Sequence, residues 1–453
     1  MNIIVAGGGK VGTALVRQLT TEGHDMTLID MNGAVLSAVS EQFDTITIRG
    51  NCASMETLLD AGIQQADLLI AATNADEVNL LCCTTAHGLK KDLHTIARIR
   101  NPEYTQQIYK MRDIFGLSMT VNPEKQAATE IERLLKYPGF LRRDTFANGR
   151  TEIVELRIDR QSKLRDVCLN DLQGIIKCKV LVCAVLRDGT AMVPNSGTFV
   201  LKEGDRLFVT ALSDNLATLL KNLGIIARRV RRVMLCGGGR ISYYLAQELE
   251  KSGIHVTFIE QNHARCEALA EDLPDSTIVC GDCTNQNLLE GEGLSDCDAV
   301  VTLTGVDELN MIVSLYAGSR NVPQVITKLG HGETRTILHT LPLGSIISPK
   351  ELCSNIIVRY VRAMQNQTGA AVSVHAIADG QAEAMEFLVD STTKNCGIPL
   401  KDIKLKPNVL LVSIAHGAGT EIPNGNSVFH EGDSVVVVTN GRGLLGQLND
   451  IFA

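Results

Sequence analysis

Short apolar runs alternate along this chain with stretches in which apolar residues recur every three or four positions. In the first 125 or so residues, strands are expected at Ile3–Ala6, Met26–Asp30, Thr45–Arg49, Leu68–Ala72, Thr95–Ile99 and Ser118–Val121. Between them, Val11, Leu15 and Leu19 form a stripe at helical spacing, and Leu58, Leu59 and Ala61 mark a shorter helix. Short apolar strands separated by helices imply parallel βαβ units. The Val121-Asn122-Pro123 break precedes a long helix from Glu124 to about Lys136, with Ile131, Leu134 and Leu135 on one side. A similar helix follows Ser348–Pro349 and runs to about Met364, with Leu352, Ile356, Tyr360 and Met364 four apart. Both stripes fit either an intramolecular core or a dimer seam, because each helix leaves its sheet where the alternation ends. The pattern then changes. Thr151–Asp159 alternates with period two, and Glu203–Thr210 reads as a turn followed by a strand, so a small α+β lobe is expected.

The whole arrangement is written twice. "IIVAGGGKVGTALVRQL" from Ile3 aligns with "VMLCGGGRISYYLAQEL" from Val233, and "TLID" ending at Asp30 aligns with "TFIE" ending at Glu260. "IRGNCASMETLLDAGIQQADLLIAATNADEVNLL" from Ile48 has its partner from Val279, and the lobe segments from Val154 and Val193 have theirs from Met385 and Ile422. The expected fold is α/β: two tandem Rossmann-like doubly wound parallel sheets, each followed by a small α+β lobe. The expected boundaries are 1–138, 139–226, 227–366 and 367–453. The basic stretch Ala227–Arg232 at the join reads as a solvated linker or as a phosphate or partner contact.

Gly7-x-Gly9-x-x-Gly12 follows a strand, opens a helix, and has an acid, Asp30, at the end of the next strand. That context, more than the glycines alone, marks a dinucleotide cradle. Gly7 permits a tight turn, Gly9 lets backbone approach a diphosphate, and Gly12 lets the helix lie close to the strand. Gly8, Lys10 and Val11 complete the loop, and the helix N-terminus offers N–H groups to phosphate. Asp30 is placed to accept ribose hydroxyls and to repel a 2′-phosphate, which favours NAD(H) or another unphosphorylated adenine nucleotide over NADP. The second copy keeps Gly237, Gly239 and Glu260, with Arg240 and Ile241 opening the helix, but has Ser242 for the third glycine. Looser packing and either a bound nucleotide or a weaker site are expected there. Loops at the strand ends line the same crevice: Asn51 and Cys52, Thr73, Asn74 and Glu77 in the first copy, and Asp282, Cys283 and Thr304 in the second. Arg98 and Lys328, near the ends of the fifth strands, are expected to face phosphates.

Composition narrows the function. The chain has 453 residues, a net charge of −8, and 45% hydrophobic residues. The charge argues against a nucleic-acid footprint, and no helix-turn-helix segment is evident. No apolar window approaches the length of a membrane span, and Met1 leads straight into a strand, so a soluble cytoplasmic chain without a signal peptide is expected. The 13 cysteines are scattered through apolar segments, which suits a reducing compartment. The one Cys-x-x-Cys, Cys280–Cys283, has no second pair to complete a zinc site. A dehydrogenase would need a second domain supplying an acid or base. Here no His–Asp or Cys–His arrangement stands out, His331 and His339 read as ordinary helix or surface positions, and Lys10 precedes Gly12 where a P-loop would place its lysine after the glycine. No catalytic residue and no metal site is expected. An NAD-dependent soluble oxidoreductase and a DNA-acting redox sensor are the alternatives to a sensing role.

"GGGKVG", "ATNADEVNLL" (Ala72–Leu81), "ARIRNPEY" (Ala97–Tyr104) and the "EGD" of each lobe, in duplicated order, resemble the TrkA-type regulatory subunits of Trk potassium uptake. Each half resembles one RCK domain, a KTN nucleotide-binding unit plus a TrkA C-terminal lobe, and the resemblance covers essentially the whole chain. It implies a peripheral protein on the inner face of the membrane. It also implies a homo-oligomeric ring, dimer or tetramer, under a Trk- or Ktr-type potassium-translocating membrane subunit. NAD(H), with ATP and ADP as further ligands of similar proteins, would bias the ring and so the pore.

Overall fold

Ile3-Ile4-Val5-Ala6 is buried at every position, as a strand covered on both faces must be. In the computed structural model this run forms β1 (Asn2–Ala6), the middle of the first sheet. The structure describes residues 1–136, 139–194, 196–212, 215–224, 230–330, 341–364, 371–417, 419–440 and 447–453. His331, His339, most of the basic join and the expected boundaries near 138, 226 and 366 fall outside or at the edge of those residues.

In the first half the elements are β1, α1 (Lys10–Thr21), β2 (Asp25–Asp30), α2 (Gly33–Gln42), β3 (Ile46–Arg49), α3 (Met55–Asp60), β4 (Leu68–Ala71), α4 (Asp76–Leu89), β5 (His94–Arg98), α5 (Pro102–Met111), β6 (Met119–Val121) and α6 (Pro123–Lys136). The six strands pair in the order β3-β2-β1-β4-β5-β6, every pair parallel. This is the doubly wound order, and it reverses between β1 and β4, where such sheets bind ligands. Val11, Leu15, Val16 and Leu19 of α1 are all buried, as the stripe requires.

Lobe one follows: β7 (Arg142–Phe146), β8 (Thr151–Arg157), α7 (Leu172–Ile176), β9 (Val180–Arg187), β10 (Thr190–Met192), β11 (Arg206–Leu212) and α8 (Leu216–Leu223). Its sheet is antiparallel in the order β10-β9-β11-β8-β7. The second half repeats the plan with β12 (Arg232–Cys236), α9 (Arg240–Lys251), β13 (His255–Glu260), α10 (His263–Asp272), β14 (Thr277–Cys280), α11 (Gln286–Gly291), β15 (Ala299–Thr302), α12 (Asp307–Ser319), β16 (Gln324–Lys328), β17 (Ser345–Ile347) and α13 (Pro349–Met364). Its order, β14-β13-β12-β15-β16-β17, matches the first sheet strand for strand. Lobe two holds β18 (Ala371–Ile377), β19 (Ala382–Leu388), β20 (Val409–His416), β21 (Gly419–Glu421) and β22 (Ser434–Thr439), ordered β18-β19-β22-β20-β21. The fold is therefore α/β with two Rossmann-like sheets and two small antiparallel lobes.

The long helices α6 and α13 do not stay with their own halves. One compact unit comprises Met1–Thr129 with Ser348–Val361, and the other comprises Glu130–Ile347 with Arg362–Ala453. Most of α13 thus packs on the first sheet, where the Tyr360 hydroxyl lies 3.0 Å from His94 Nδ1 at the start of β5. The end of α6 belongs to the other unit, where Gln324 at the start of β16 donates to the Leu134 carbonyl at 2.9 Å. Ile131, Leu134 and Leu135 of α6 are buried, whereas Leu352, Ile356, Tyr360 and Met364 of α13 are half-buried; the face that α13 buries carries Cys353, Ile357, Val358 and Val361.

The two lobes share an apolar core within the second unit. Phe146, Ile153, Cys183, Leu186 and Phe208 of the first meet Ile377, Ala384, Val412, Val436 and Val438 of the second. Arg206 bridges them, with Glu155 at 2.5 Å on its own lobe and Asp379 at 2.8 Å on the other. A half-buried arginine held between two carboxylates offsets the cost of taking Glu155 out of water.

One buried acid in this unit is poorly matched. Burial on α6 raises the Glu130 carboxyl from 4.5 to about 7, with Asp144 adding to the rise and Arg133, Arg143 and Arg142 opposing it. The folded state thus favours the protonated form. Stability falls as pH climbs from the unfolded value near 4.5 through about 7, and the penalty is full above that. Glu130→Gln should accordingly stabilise the protein by about 3 kcal/mol at most at pH 8, and by little at pH 5. Thermal unfolding of both proteins at the two pH values checks this, and an equal effect at both would refute it.

Candidate nucleotide-binding site

The crevice at the sheet's switch point is built around one carboxylate. Asp30 ends β2, and its Oδ2 accepts the Gly8 N–H at 2.6 Å while Oδ1 accepts the Asn32 N–H at 2.7 Å. The second half reproduces this with a longer side chain. Glu260 Oε2 accepts the Gly238 N–H at 2.6 Å, and Oε1 accepts the Asn262 N–H at 2.8 Å. The acid therefore holds the glycine loop against the start of the following helix, and each carboxylate oxygen keeps acceptor capacity for another donor.

The glycines divide the work. Gly7 has φ +103, and a Cβ there would lie 2.9 Å from the Thr73 nitrogen; Gly237 has φ +105 and the same distance to Thr304. A Cβ on Gly12 would sit 1.9 Å from the Gly7 carbonyl oxygen. Ser242 occupies that place in the second copy, is fully buried, and donates its hydroxyl to the Gly237 carbonyl at 2.5 Å. The expected loosening is thus offset by a hydrogen bond between helix and loop. Gly9 and Gly239 differ from the rest, since a Cβ on either meets nothing within 4 Å. They are the N-caps of α1 and α9, without a side-chain cap and without an acid in the first turn. Asn side chains cap α2, α5, α10 and α11. The first N–H groups of α1 and α9, beginning at Lys10 and Val11 and at Arg240 and Ile241, thus receive no side-chain cap, and the positive end of each helix carries no acid of its own.

The opposite wall is fixed by an asparagine. Asn79, fully buried on α4, accepts the Thr73 N–H and hydroxyl at 2.8 and 2.7 Å and donates to the Arg98 carbonyl at 2.8 Å. Asn310 makes the same set to Thr304 and the Lys328 carbonyl. Asp76, also buried, accepts the Arg100 and Asn101 N–H groups at 2.7 Å. Asn79 and Asn310 occupy equal places in the repeated "ATNADEVNLL" and "LTGVDELNMI", which is the signal that could have found them. Arg265 has no such signal. Its guanidinium donates to the Gly238 carbonyl at 2.7 Å, where the first copy has Val35.

The structure brings Gly7, Gly8, Asp30 and Thr73 together, and likewise Gly237, Glu260 and Thr304. Gly50 joins them through its N–H to the Asp30 carbonyl at 3.2 Å, which places Asn51 beside the loop. Asn51 and Asp282 brace their turns by accepting the Ala53 and Thr284 N–H groups. Cys52 and Cys283 are buried free thiols, and the neighbouring core thiols Cys82 and Cys236 hold them below the ordinary thiol range. Glu77 accepts the Tyr104 hydroxyl at 2.7 Å, and the Asn74 carbonyl accepts from the Arg100 guanidinium. The two basic residues are turned to protein partners. Arg98 lies 3.6 Å from Glu124 on α6, and the Lys328 ammonium donates to the Thr304 carbonyl at 2.5 Å. Burial pulls the Arg98 guanidinium below its ordinary value, with Glu124 opposing.

Models of the TrkA-N domain match residues 3–123 and 233–349, and those of the TrkA-C domain match 153–224 and 384–451. The chain belongs to the TrkA family. The Trk system potassium uptake protein TrkA of Vibrio alginolyticus is 29% identical, across all of this chain and 98% of its own length. A TrkA homolog from Archaeoglobus fulgidus is 31% identical over 96% of this chain and 97% of its own. In fold, the chain is similar to the GsuK RCK domain, with a TM-score of 0.62 at 17% identity, covering 96% of this chain and 92% of that one. The GsuK channel bound to NAD gives 0.61 at 17% identity, covering 97% and 76%. The family's regulatory place in potassium transport agrees with the sensing role expected from the duplicated cradle.

The contrast between Gly7 and Gly9 is testable. Gly7→Ala forces a strained backbone against the Thr73 loop and should cost about 2 kcal/mol or more. Gly9→Ala should leave the melting temperature of the unliganded protein unchanged and remove the stabilisation that NADH confers. Thermal melts with and without NADH read both, and a Gly9→Ala protein that is still stabilised by NADH would refute the assignment.

Proposed function

We propose that the chain is the cytoplasmic, nucleotide-sensing gating subunit of a Trk- or Ktr-type potassium uptake system, peripheral on the inner face of the membrane. NAD(H) binds with its diphosphate on the α1 N-terminus at Gly9 and a ribose on Asp30. ATP or ADP competes for the same cradle, and the second cradle at Gly239 and Glu260 takes a nucleotide of the same class. The protein works as a homo-oligomeric ring, dimer or tetramer, and performs no reaction on its ligand. The four domains read from the sequence, 1–138, 139–226, 227–366 and 367–453, are the repeated parts of this device, with most of α13 and the end of α6 exchanged between its two compact units.

The observation that carries the reading is the open face of Gly9 and Gly239 at two uncapped helix starts, in a chain of the TrkA family. Two such cradles, each tied through an asparagine to the next strand end, give a ligand two places at which to bias one chain. Among the described residues no helix is long and apolar enough to cross a membrane; in the proposed arrangement the pore belongs to the membrane subunit. A ligand shifts the ring only by its differential affinity for the two states.

Potassium uptake into vesicles bearing a Trk-type membrane subunit tests this. Added protein should change the flux, NADH should change it again by a factor of about 5 or more, and NADH should be recovered unoxidised. Gly9→Ala should keep the first effect and lose the second. Flux indifferent to NADH, or substrate-dependent oxidation of NADH, would overturn the proposal and favour the oxidoreductase reading.

A further inference from the structure

The two lobes share a frame but balance its buried charge differently. In lobe one the "KEGD" turn before β11 ends in Asp205, a carboxylate 1% exposed. It accepts the Lys202 backbone N–H at 2.8 Å and is clamped by Arg187, at the end of β9, through two bonds of 2.8 and 2.7 Å. The cation that the buried acid requires is thus a guanidinium.

Lobe two has the same turn as "HEGD", ending in Asp433, which is also buried and accepts the His430 backbone N–H at 2.6 Å. The permanent cations have gone. His416 stands where Arg187 stands, at the end of β20, with Nδ1 2.8 Å from Asp433 Oδ2. His430 replaces Lys202, with Nδ1 3.9 Å from the same oxygen. Glu421, at the end of β21, stands where lobe one has Met192, and its Oε1 is 4.0 Å from His416 Nε2. One ligand atom from each of His416, His430 and Asp433 lies within 4.8 Å of the others. Tetrahedral zinc with bonds of 2.0–2.1 Å separates its ligand atoms by roughly 3.3 Å, and the spacings of 2.8 and 3.9 Å bracket that value.

We propose that His416, His430 and Asp433 bind a divalent transition-metal cation of the zinc type, which supplies the charge that Arg187 supplies in lobe one. Two imidazoles and a carboxylate are a borderline-soft donor set suited to zinc rather than to calcium or magnesium. The fourth position faces solvent, since His430 is 65% exposed and His416 38%. Glu421 lies on the far side of the His416 ring, where a carboxylate orients a metal-bound imidazole. Bound metal would pin the β20–β21 hairpin to the turn that starts β22. The three changes between lobes all run toward metal ligands, and lobe one, without a histidine at either place, is the built-in control.

Cobalt(II) added to the full-length protein tests the site while discriminating against the 13 cysteines. Histidine and carboxylate ligation should give visible bands saturating at one metal per chain, without a thiolate charge-transfer band. His430→Ala truncates a mostly exposed side chain and should weaken that binding by about 100-fold with an unchanged melting temperature in the absence of metal. The double variant His416→Arg/His430→Lys rebuilds the lobe-one pair and should lose both the bands and the metal-induced rise in melting temperature. Absence of a saturable signal in the wild type, a thiolate band in its place, or an equal affinity in His430→Ala would overturn the proposal.

Discussion

The hydrogen bond from the Gly8 N–H to the Asp30 carboxylate is the constraint on which the first half of this structure turns. It joins the loop that leaves β1 to the C-terminal end of the neighbouring strand β2, beside the crevice that opens between β1 and β4. A carboxylate bonded to backbone N–H groups on both oxygens is fixed in place before any ligand arrives, and preorganisation of this kind lowers the cost of binding. With the loop so held, Gly9 is left as the exposed corner and the α1 N-terminus as the anion-facing pole. The second half keeps the same bond with a glutamate, so the geometry tolerates one more methylene.

Duplication without identity is what gives the chain more than one kind of site. Ser242 replaces a glycine whose place has no room for a side chain in the first copy, and its hydroxyl is bonded to the loop. Arg265 brings a positive charge to the second glycine loop that Val35 cannot bring to the first. The lobes diverge further, with Arg187 on Asp205 in one and two histidines beside Asp433 in the other. Each departure sits at an equivalent place in the repeated plan.

The strands, the glycine loops, the acids and the duplication were legible in the sequence because each leaves a local signature of spacing and residue type. The observed strands β1 to β6 differ from the expected ones by one residue at one end, except β5, which is shifted by one residue at both. What escaped depends on distant partners. The spacing of Ile131, Leu134 and Leu135 announces the buried face of α6, but the stripe Leu352, Ile356 and Tyr360 misses that of α13, which carries Cys353, Ile357 and Val361, and the exchange between units appears only in three dimensions. Arg98 and Lys328 are basic and well placed in the chain, yet their direction is set by Glu124 and by the Thr304 carbonyl. Asn79 and Asn310 read as ordinary helix residues until their bonds to the strand ends are seen. The histidines of lobe two acquire meaning only when Asp433 is found buried between them and compared with Asp205.

The account's central claim is that the Asp30 carboxylate both sets the first glycine loop and selects the ligand. Parallel calorimetric titrations of the full-length protein with NADH and NADPH test it most directly. A 2′-phosphate brought against the fixed carboxylate should weaken binding at the first cradle by at least about tenfold, or 1.4 kcal/mol. Equal affinities of NADH and NADPH for that cradle would contradict the claim.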